Sequence, residues 1–216
     1  GGWAAFDVDN ENEIFNQVPF ADHGAMLDPP TADVSGRVLW LLSQIGFKKN
    51  HPKVEKVIGF LKGKQEINGS WWGRWGVNYI YGSWLALTGL ASIGEDMSQP
   101  YVSRAMKWFE DHQNEDGGWG ETCESYKTPS LAGNGNSTAS QTSWAVMAMI
   151  AGGEEKNLIV KRGIEFLLNR QKLHGSWYED EFTGTGFPIH FFIKYHMYQH
   201  SFPLMALGKY RSALRS

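Results

Sequence analysis

Three stretches of the chain interleave apolar and charged residues at spacings of three and four. They are "VEKVIGFLKGKQ" from Val54, "VSRAMKWFEDHQ" from Val102 and "VKRGIEFLLNRQ" from Val160. That spacing gathers apolar side chains on one helix face and charges on the other. Between them lie stretches with far fewer charges: "DVSGRVLWLLSQIGF", "VNYIYGSWLALTGLASIG", "TASQTSWAVMAMIAGG" and "GFPIHFFIKYHMYQHSFPLMALGKY". The pattern predicts about seven helices. Amphipathic helices alternating with nearly apolar ones predict two layers, the amphipathic set facing solvent and the apolar set inside. This is the form of an all-α α/α barrel or toroid. A closed double ring needs more helices, so the chain is expected to be part of a barrel.

Each amphipathic stretch runs into the same motif. "QEINGSW" places Gln65, Gly69 and Trp71; "QNEDGGW" places Gln113, Gly117 and Trp119; "QKLHGSW" places Gln171, Gly175 and Trp177. The pattern is Gln-x-x-x-Gly-x-Trp, and the opening "GGW" supplies Gly1 and Trp3 of a further copy. The glycine turn stops the helix. The glutamine can reach free carbonyls at helix ends, and a tryptophan can stack over its amide. Weakly similar helix–turn units of this kind build repeat architectures, so the bland role of the motif is structural. The chain opens inside a repeat and without Met, and is expected to be a piece of something longer. The first 32 residues read as an extended, ordered loop, and "GETCESYKTPSLAGNGNSTAS" is the longest loop further on.

Composition narrows the function. The 216 residues carry a net charge of -3 with no Lys/Arg cluster, which sets nucleic-acid binding aside. The single cysteine, Cys123, allows no internal disulfide and fits a reducing compartment, most simply the cytoplasm. No apolar run approaches the ~18–20 residues of a spanning helix, while a peripheral membrane contact stays open. Aromatic residues reach 14% and are unevenly placed. "GSWWGRWGVNYIYG" holds Trp71, Trp72, Trp75, Tyr79 and Tyr81, more rings than a core needs.

In "GFPIHFFIKYHMY", Phe187, Phe191, Tyr195 and Tyr198 recur at i, i+4, i+8 and i+11. On a helix they fall within roughly 80° of one another, and Pro188 suits the first turn. Such a stripe can be plain core. A core would mix in aliphatics, however, and Trp75 with Tyr81 opens another inner helix. The loop "TGTG" before the stripe also lets backbones come close. Rings at the same end of several inner helices would line a cavity. That wall is greasy, yet its ring faces attract positive charge. Carbocation chemistry on a hydrocarbon needs both properties.

These motifs resemble the triterpene cyclases. "GRWGVNYIYG", "DPPTADVSGRVL", "QNEDGGWGE" and "TGTGFPIHFFIKYHMY…FPLMALGKY" look like squalene–hopene cyclase in particular, from the first residue to about the last. The resemblance implies residues 1–216 as the C-terminal portion of a catalytic α/α-barrel domain whose upstream part lies elsewhere. It implies a buried cavity in which squalene is protonated and cyclised through carbocations to hopene or hopanol, with no metal or organic cofactor. It implies squalene and a membrane lipid surface as partners, peripheral placement at the cytoplasmic face of a bacterial-type membrane, and a homodimer as one assembly of the full-length enzyme. By position, Trp75, Tyr81, Phe187, Phe191, Tyr195 and Tyr198 match the cavity wall, and Ile193 an aliphatic position beside it. Phe6 stands where the best-known bacterial enzyme has Tyr. Phe20 and Ala21 fall at the channel constriction. Asp33 and Arg37, four apart on a helix start, match a pair that supports the catalytic acid; the best-known enzyme has His in place of Arg37. The plain alternative for this pair is a helix ion pair.

The family's acid is the middle Asp of Asp-x-Asp-Asp, and that motif does not occur in these 216 residues. "FDVDN" gives Asp7, Asp9 and Asn10, and resembles the loop that follows the acid motif. The chain alone is therefore expected to be inactive, because only a strong, dry acid protonates an alkene. Other readings are a prenyltransferase-β-like barrel, with Glu121, Cys123 and a histidine such as His190 on zinc, and a carbohydrate-active barrel using Asp7 with Asp9, or Glu179, Asp180 and Glu181. A non-catalytic repeat scaffold is the remaining one.

Overall fold

The computed structural model describes residues 1–6, 12–18 and 26–215. Seven α-helices run among them: α1 (Ala32–Gln44), α2 (Pro52–Gly63), α3 (Tyr79–Ser92), α4 (Pro100–Asp111), α5 (Ala139–Ala151), α6 (Leu158–Arg170) and α7 (Tyr198–Ala213). Each outer helix has a local start signal. Pro52 and Pro100 occupy the first turns of α2 and α4. Asn157 caps α6 by accepting from the Ile159 N–H. Proline loses nothing there, since the first-turn N–H groups have no helical partner.

The two layers are those the pattern predicts. On α2, α4 and α6 one face is buried and charges cover the other. α3 and α5 are buried along almost their whole length. The inner helices pack in chain order, α1 on α3, α3 on α5 and α5 on α7. At the two ends of this row the faces are open: Trp40 and Leu41 on α1, Ile45 just after it, and Leu204 and Met205 on α7 are exposed.

The repeat motif is the joint between outer helices. Trp71, Trp119 and Trp177 are fully buried. Their indole N–H groups donate to Leu61 O (2.7 Å), Phe109 O (2.8 Å) and Leu167 O (2.7 Å), carbonyls in the last turns of α2, α4 and α6. Leu61 O and Phe109 O otherwise receive only a tight-turn bond from the cap N–H groups of Lys64 (3.2 Å) and His112 (3.4 Å), so the tryptophan adds a stronger donor. The turn glycines sit at φ of 96° (Gly69), 85° (Gly117) and 87° (Gly175), a region that side-chain-bearing residues avoid. The Gln65 amide donates to Gly69 O (2.8 Å) and across to Tyr101 O in α4 (2.7 Å). Gln113 repeats this with Gly117 O (2.9 Å) and Ile159 O in α6 (2.8 Å). Among the described residues Gln171 makes only the local bond, to Gly175 O (3.0 Å), and it is exposed.

One element departs from the sequence expectation. No helix runs through Phe187–Tyr198. Residues Gly184–Phe187 form strand β1, Phe191–Ile193 form strand β2, and the two pair antiparallel. Pro188 opens the turn between them rather than a helix; the His190 N–H closes it on Phe187 O at 3.1 Å, with Ile189 at φ 77°. The reason is tertiary. The Val77 N–H donates to Thr183 O and Gly76 bridges to Gly184, so the loop before α3 offers β1 an extended partner. Gly184, Thr185 and Gly186 are poor helix formers that accept it. The opening segment also carries a short 3-10 turn, Glu13–Gln17.

Candidate active site

The site forms where the N-terminal ends of the inner helices meet the loop 73–77 and the β1–β2 hairpin. α1 contributes Asp33, which is buried. Its Oδ2 accepts the backbone N–H groups of Arg74 (3.0 Å) and Trp75 (2.9 Å). Asp33 thus fixes the loop that presents the Trp75 ring. No ion pair joins it to Arg37, so the helix-pair alternative is corrected. The Arg37 Nη2 reaches the Tyr81 hydroxyl instead, at 3.4 Å, and its guanidinium lies 5.7 Å from the Trp84 ring. One helical turn separates the two side chains, and each finds its partner on different backbone.

Two aromatic groups share the site. In the first, Trp75 meets Phe6 edge-on at 5.7 Å and Phe187 at 6.4 Å, and Phe187 meets Phe191 at 5.6 Å. In the second, Tyr195 lies 4.6 Å from Tyr198, which meets Trp144 and Phe202 at 5.9 and 4.8 Å. Trp84 stacks on Trp144 with an interplanar angle of 4°, and Tyr81 closes the cluster 4.9 Å from Trp144. The bridge between Gly76 and Gly184 joins the groups. A Cβ on Gly76 would stand 2.5 Å from the Tyr81 ring, and one on Gly184 2.5 Å from the Tyr195 ring. The missing side chains let both rings lie against this backbone pair.

The four residues read as one helical stripe, Phe187, Phe191, Tyr195 and Tyr198, are therefore split. Phe187 and Phe191 face each other across the hairpin, Tyr198 opens α7, and Ile193 pairs with Gly184 in β2. They still converge with Trp75 and Tyr81, by hairpin geometry instead of helical period. Phe6 is mostly exposed, with its backbone N–H donating to the Asp28 carboxylate. Phe20, Ala21, Asp7, Asp9 and Asn10 lie outside the described residues.

Two of the phenols, Tyr81 and Tyr198, are held neutral. Burial pushes Tyr81 up, and the Arg37 guanidinium only partly offsets it. Burial likewise raises Tyr198. Beside the rings, α1, α3 and α7 enclose a cavity of about 200 Å³ lined by Arg37, Trp40, Trp84, Leu85, Phe202 and Met205 among others.

Sequence reasoning missed Trp84, Trp144 and Phe202, which sit in runs that read as ordinary core. It also missed the work of Glu121 and Glu179. Glu121 Oε2 accepts the N–H groups of Asn78 (3.2 Å) and Ile80 (3.0 Å), capping α3 from another part of the chain. Glu179 accepts the Ser140 N–H and hydroxyl, both at 2.8 Å, at the start of α5. Each follows its repeat tryptophan by two positions, a Trp-x-Glu signal visible in the sequence. A carboxyl there answers the positive end of the helix dipole. Burial pushes both carboxyls up, against the pull of the N–H groups they accept. These contacts occupy Glu121 of the zinc reading and Glu179 of the carbohydrate reading. Cys123 is committed too: its thiol donates to Phe182 O at 3.4 Å, and burial pushes it up to about 11.

Paired helices around an inner aromatic wall define the class: the fold is that of the α/α-barrel terpene cyclases. Solved structures agree on the fold. The ent-copalyl diphosphate synthase from Streptomyces platensis aligns with TM-score 0.56 over 86% of this chain and 33% of its own, at 17% identity. The type II terpene cyclase MstE from Scytonema aligns with TM-score 0.53 over 74% and 42%, at 22% identity. The profile of the squalene-hopene cyclase C-terminal domain matches residues 1–212. The chain belongs to the squalene–hopene cyclase family. It is 46% identical to the squalene–hopene cyclase of Zymomonas mobilis, over 98% of this chain and 32% of that protein. It is also 46% identical to that of Alicyclobacillus acidocaldarius, over 99% and 34%. The dammaradiene synthase of the fern Dryopteris crassirhizoma is 41% identical, over 100% and 35%. The chain thus spans about a third of the length of these relatives.

Proposed function

We propose that residues 1–216 are the C-terminal portion of a squalene–hopene cyclase barrel and form much of its cavity wall. The enzyme converts squalene to a pentacyclic hopanoid by acid-initiated polycyclisation. The observation that carries this reading is the convergence of Trp75, Phe187 and Phe191 with Tyr81, Tyr195 and Tyr198 around one glycine bridge. Such a wall folds an apolar chain by exclusion of water and offers ring faces to each cation in turn, at about 0.5–2 kcal/mol per well-placed ring. Tyr81 and Tyr198, held neutral by burial, keep their phenols protonated and do not trap the cation as phenolates.

The acid is supplied by a segment outside this chain, since no Asp-x-Asp-Asp occurs in it. Asp33 and Arg37 support that acid: Asp33 by anchoring the Trp75 loop, Arg37 as a fixed cation beside Tyr81 that favours an ionised carboxylate after proton transfer. Alone, the chain does not protonate squalene. The whole enzyme takes its substrate from the lipid surface as a peripheral protein. Among the described residues no helix is long and apolar enough to cross a membrane.

The test is a chimera in which this chain replaces the matched third of the Zymomonas mobilis cyclase. Incubated with squalene, it is expected to yield pentacyclic product, while the 216-residue chain alone yields none. A chimera with native helicity and a cooperative melt that leaves squalene unchanged overturns the reading.

A further inference from the structure

We propose that Tyr126 is a positioning residue that sets the aim of the Trp75 ring through the backbone on either side of it. Tyr126 lies in the long loop between α4 and α5, in a short 3-10 turn (Cys123–Tyr126). It is buried, and its hydroxyl stands 2.7 Å from Gly73 O and 2.8 Å from Gly76 O. Those carbonyls bracket Arg74 and Trp75, whose N–H groups are already held by Asp33 from the other side. The loop is thus gripped at its N–H groups by α1 and at its carbonyls by Tyr126.

The ring of Tyr126 is seated as firmly as its hydroxyl. It meets Trp72 edge-on at 5.8 Å and stacks on Phe192 of β2 at 5.9 Å. Phe192 follows Phe191 in the hairpin, so one side chain ties the Trp75 loop to the strand that carries part of the aromatic wall. Gly76 in turn lies against Tyr81, so a shift at Gly76 moves two wall residues together. Burial, with Asp33 and Glu121 nearby, pushes the phenol well above its ordinary range. It therefore stays protonated, and a donor, at neutral pH. No other described side chain donates to Gly73 O or Gly76 O among the hydrogen bonds of this loop.

The catalytic part of this assignment rests on the proposed cyclase reading; the structural part does not, and the two are tested separately. In the 216-residue chain, Tyr126→Phe keeps the ring and removes the donor. Amide hydrogen exchange is then expected to speed up about tenfold at Arg74 and Trp75, with the amides of α2 and α4 unchanged, as the loss of one well-seated hydrogen bond predicts. Unchanged exchange at Arg74 and Trp75 overturns the clamp, and so does uniform acceleration through α2 and α4. Tyr126→Leu, which also loses the ring, is expected to speed exchange at Phe192 as well; if only the Leu variant affects Arg74 and Trp75, the hydroxyl is not the clamp.

In the chimera, Tyr126→Phe is expected to lower kcat severalfold at unchanged KM and to raise the share of incompletely cyclised products. An unchanged kcat and product profile overturns the positioning role. A wild-type chimera that is folded and inactive removes the cyclase reading but leaves the exchange result to decide the clamp.

Discussion

Replacing Gln113 by alanine removes an amide that bonds two carbonyls, Gly117 O at 2.9 Å and Ile159 O at 2.8 Å, in a half-buried joint between α4 and α6. At about 1 kcal/mol net per bond the loss is about 2 kcal/mol. Gln171 occupies the same place in the next repeat but is exposed and makes one bond, to Gly175 O at 3.0 Å. Water replaces that bond readily, so Gln171→Ala is expected to cost about 0.5 kcal/mol or less. For a chain of this size 1 kcal/mol moves Tm by roughly 2–4 °C. Gln113→Ala should therefore melt roughly 4–8 °C below the wild type, and Gln171→Ala within about 2 °C of it. Urea unfolding of the three proteins checks the free energies, with equal m-values as the condition for comparing them. The two glutamines share sequence context, so the contrast isolates the cross-helix bond. Equal losses at Gln113 and Gln171 would refute the view that this bond joins the outer helices.

Glu121 offers a pH test. Its folded pKa is raised by burial above the ordinary value of 4.5, so folding favours the protonated form. Its contribution is fully present below the ordinary value and is lost as pH rises through the raised one. Glu121→Gln, which can still accept the α3 N–H groups, should therefore gain on the wild type as pH rises above the ordinary value of 4.5 in urea titrations; no pH trend in the difference would count against the buried cap. Gly184→Ala would set a Cβ 2.5 Å from the Tyr195 ring, and should cost about 1–3 kcal/mol in thermal melts while shifting the chimera's products. Trp75→Leu and Phe187→Leu are expected to leave the chimera's melt nearly unchanged while raising prematurely terminated products in gas chromatography of the squalene extract.

Much of the fold is legible in the sequence. The apolar and charged spacing of Val54–Gln65, Val102–Gln113 and Val160–Gln171 located the outer helices, because an amphipathic helix writes its period directly into the chain. The Gly-x-Trp turns were equally legible, since a positive φ calls for glycine locally. The stripe from Phe187 to Tyr198 misled for a specific reason. Four rings matched a helical period, but the backbone bonds that decided their conformation come from Gly76 and Val77, more than a hundred residues away. Period is a local signal; strand pairing is not.

The sequence by itself determined the two-layer helical array, the repeat and the stock of rings available to a cavity, each carried by residues within a turn or two of one another. Only the tertiary structure decided which partners the polar groups took. Asp33 turned from Arg37 to the Trp75 loop, and Arg37 turned to Tyr81. Glu121 and Glu179 reached back to cap α3 and α5, and Tyr126 closed on Gly73 and Gly76. A buried donor or acceptor must find a partner wherever the fold brings one, and that place is set by packing between distant segments.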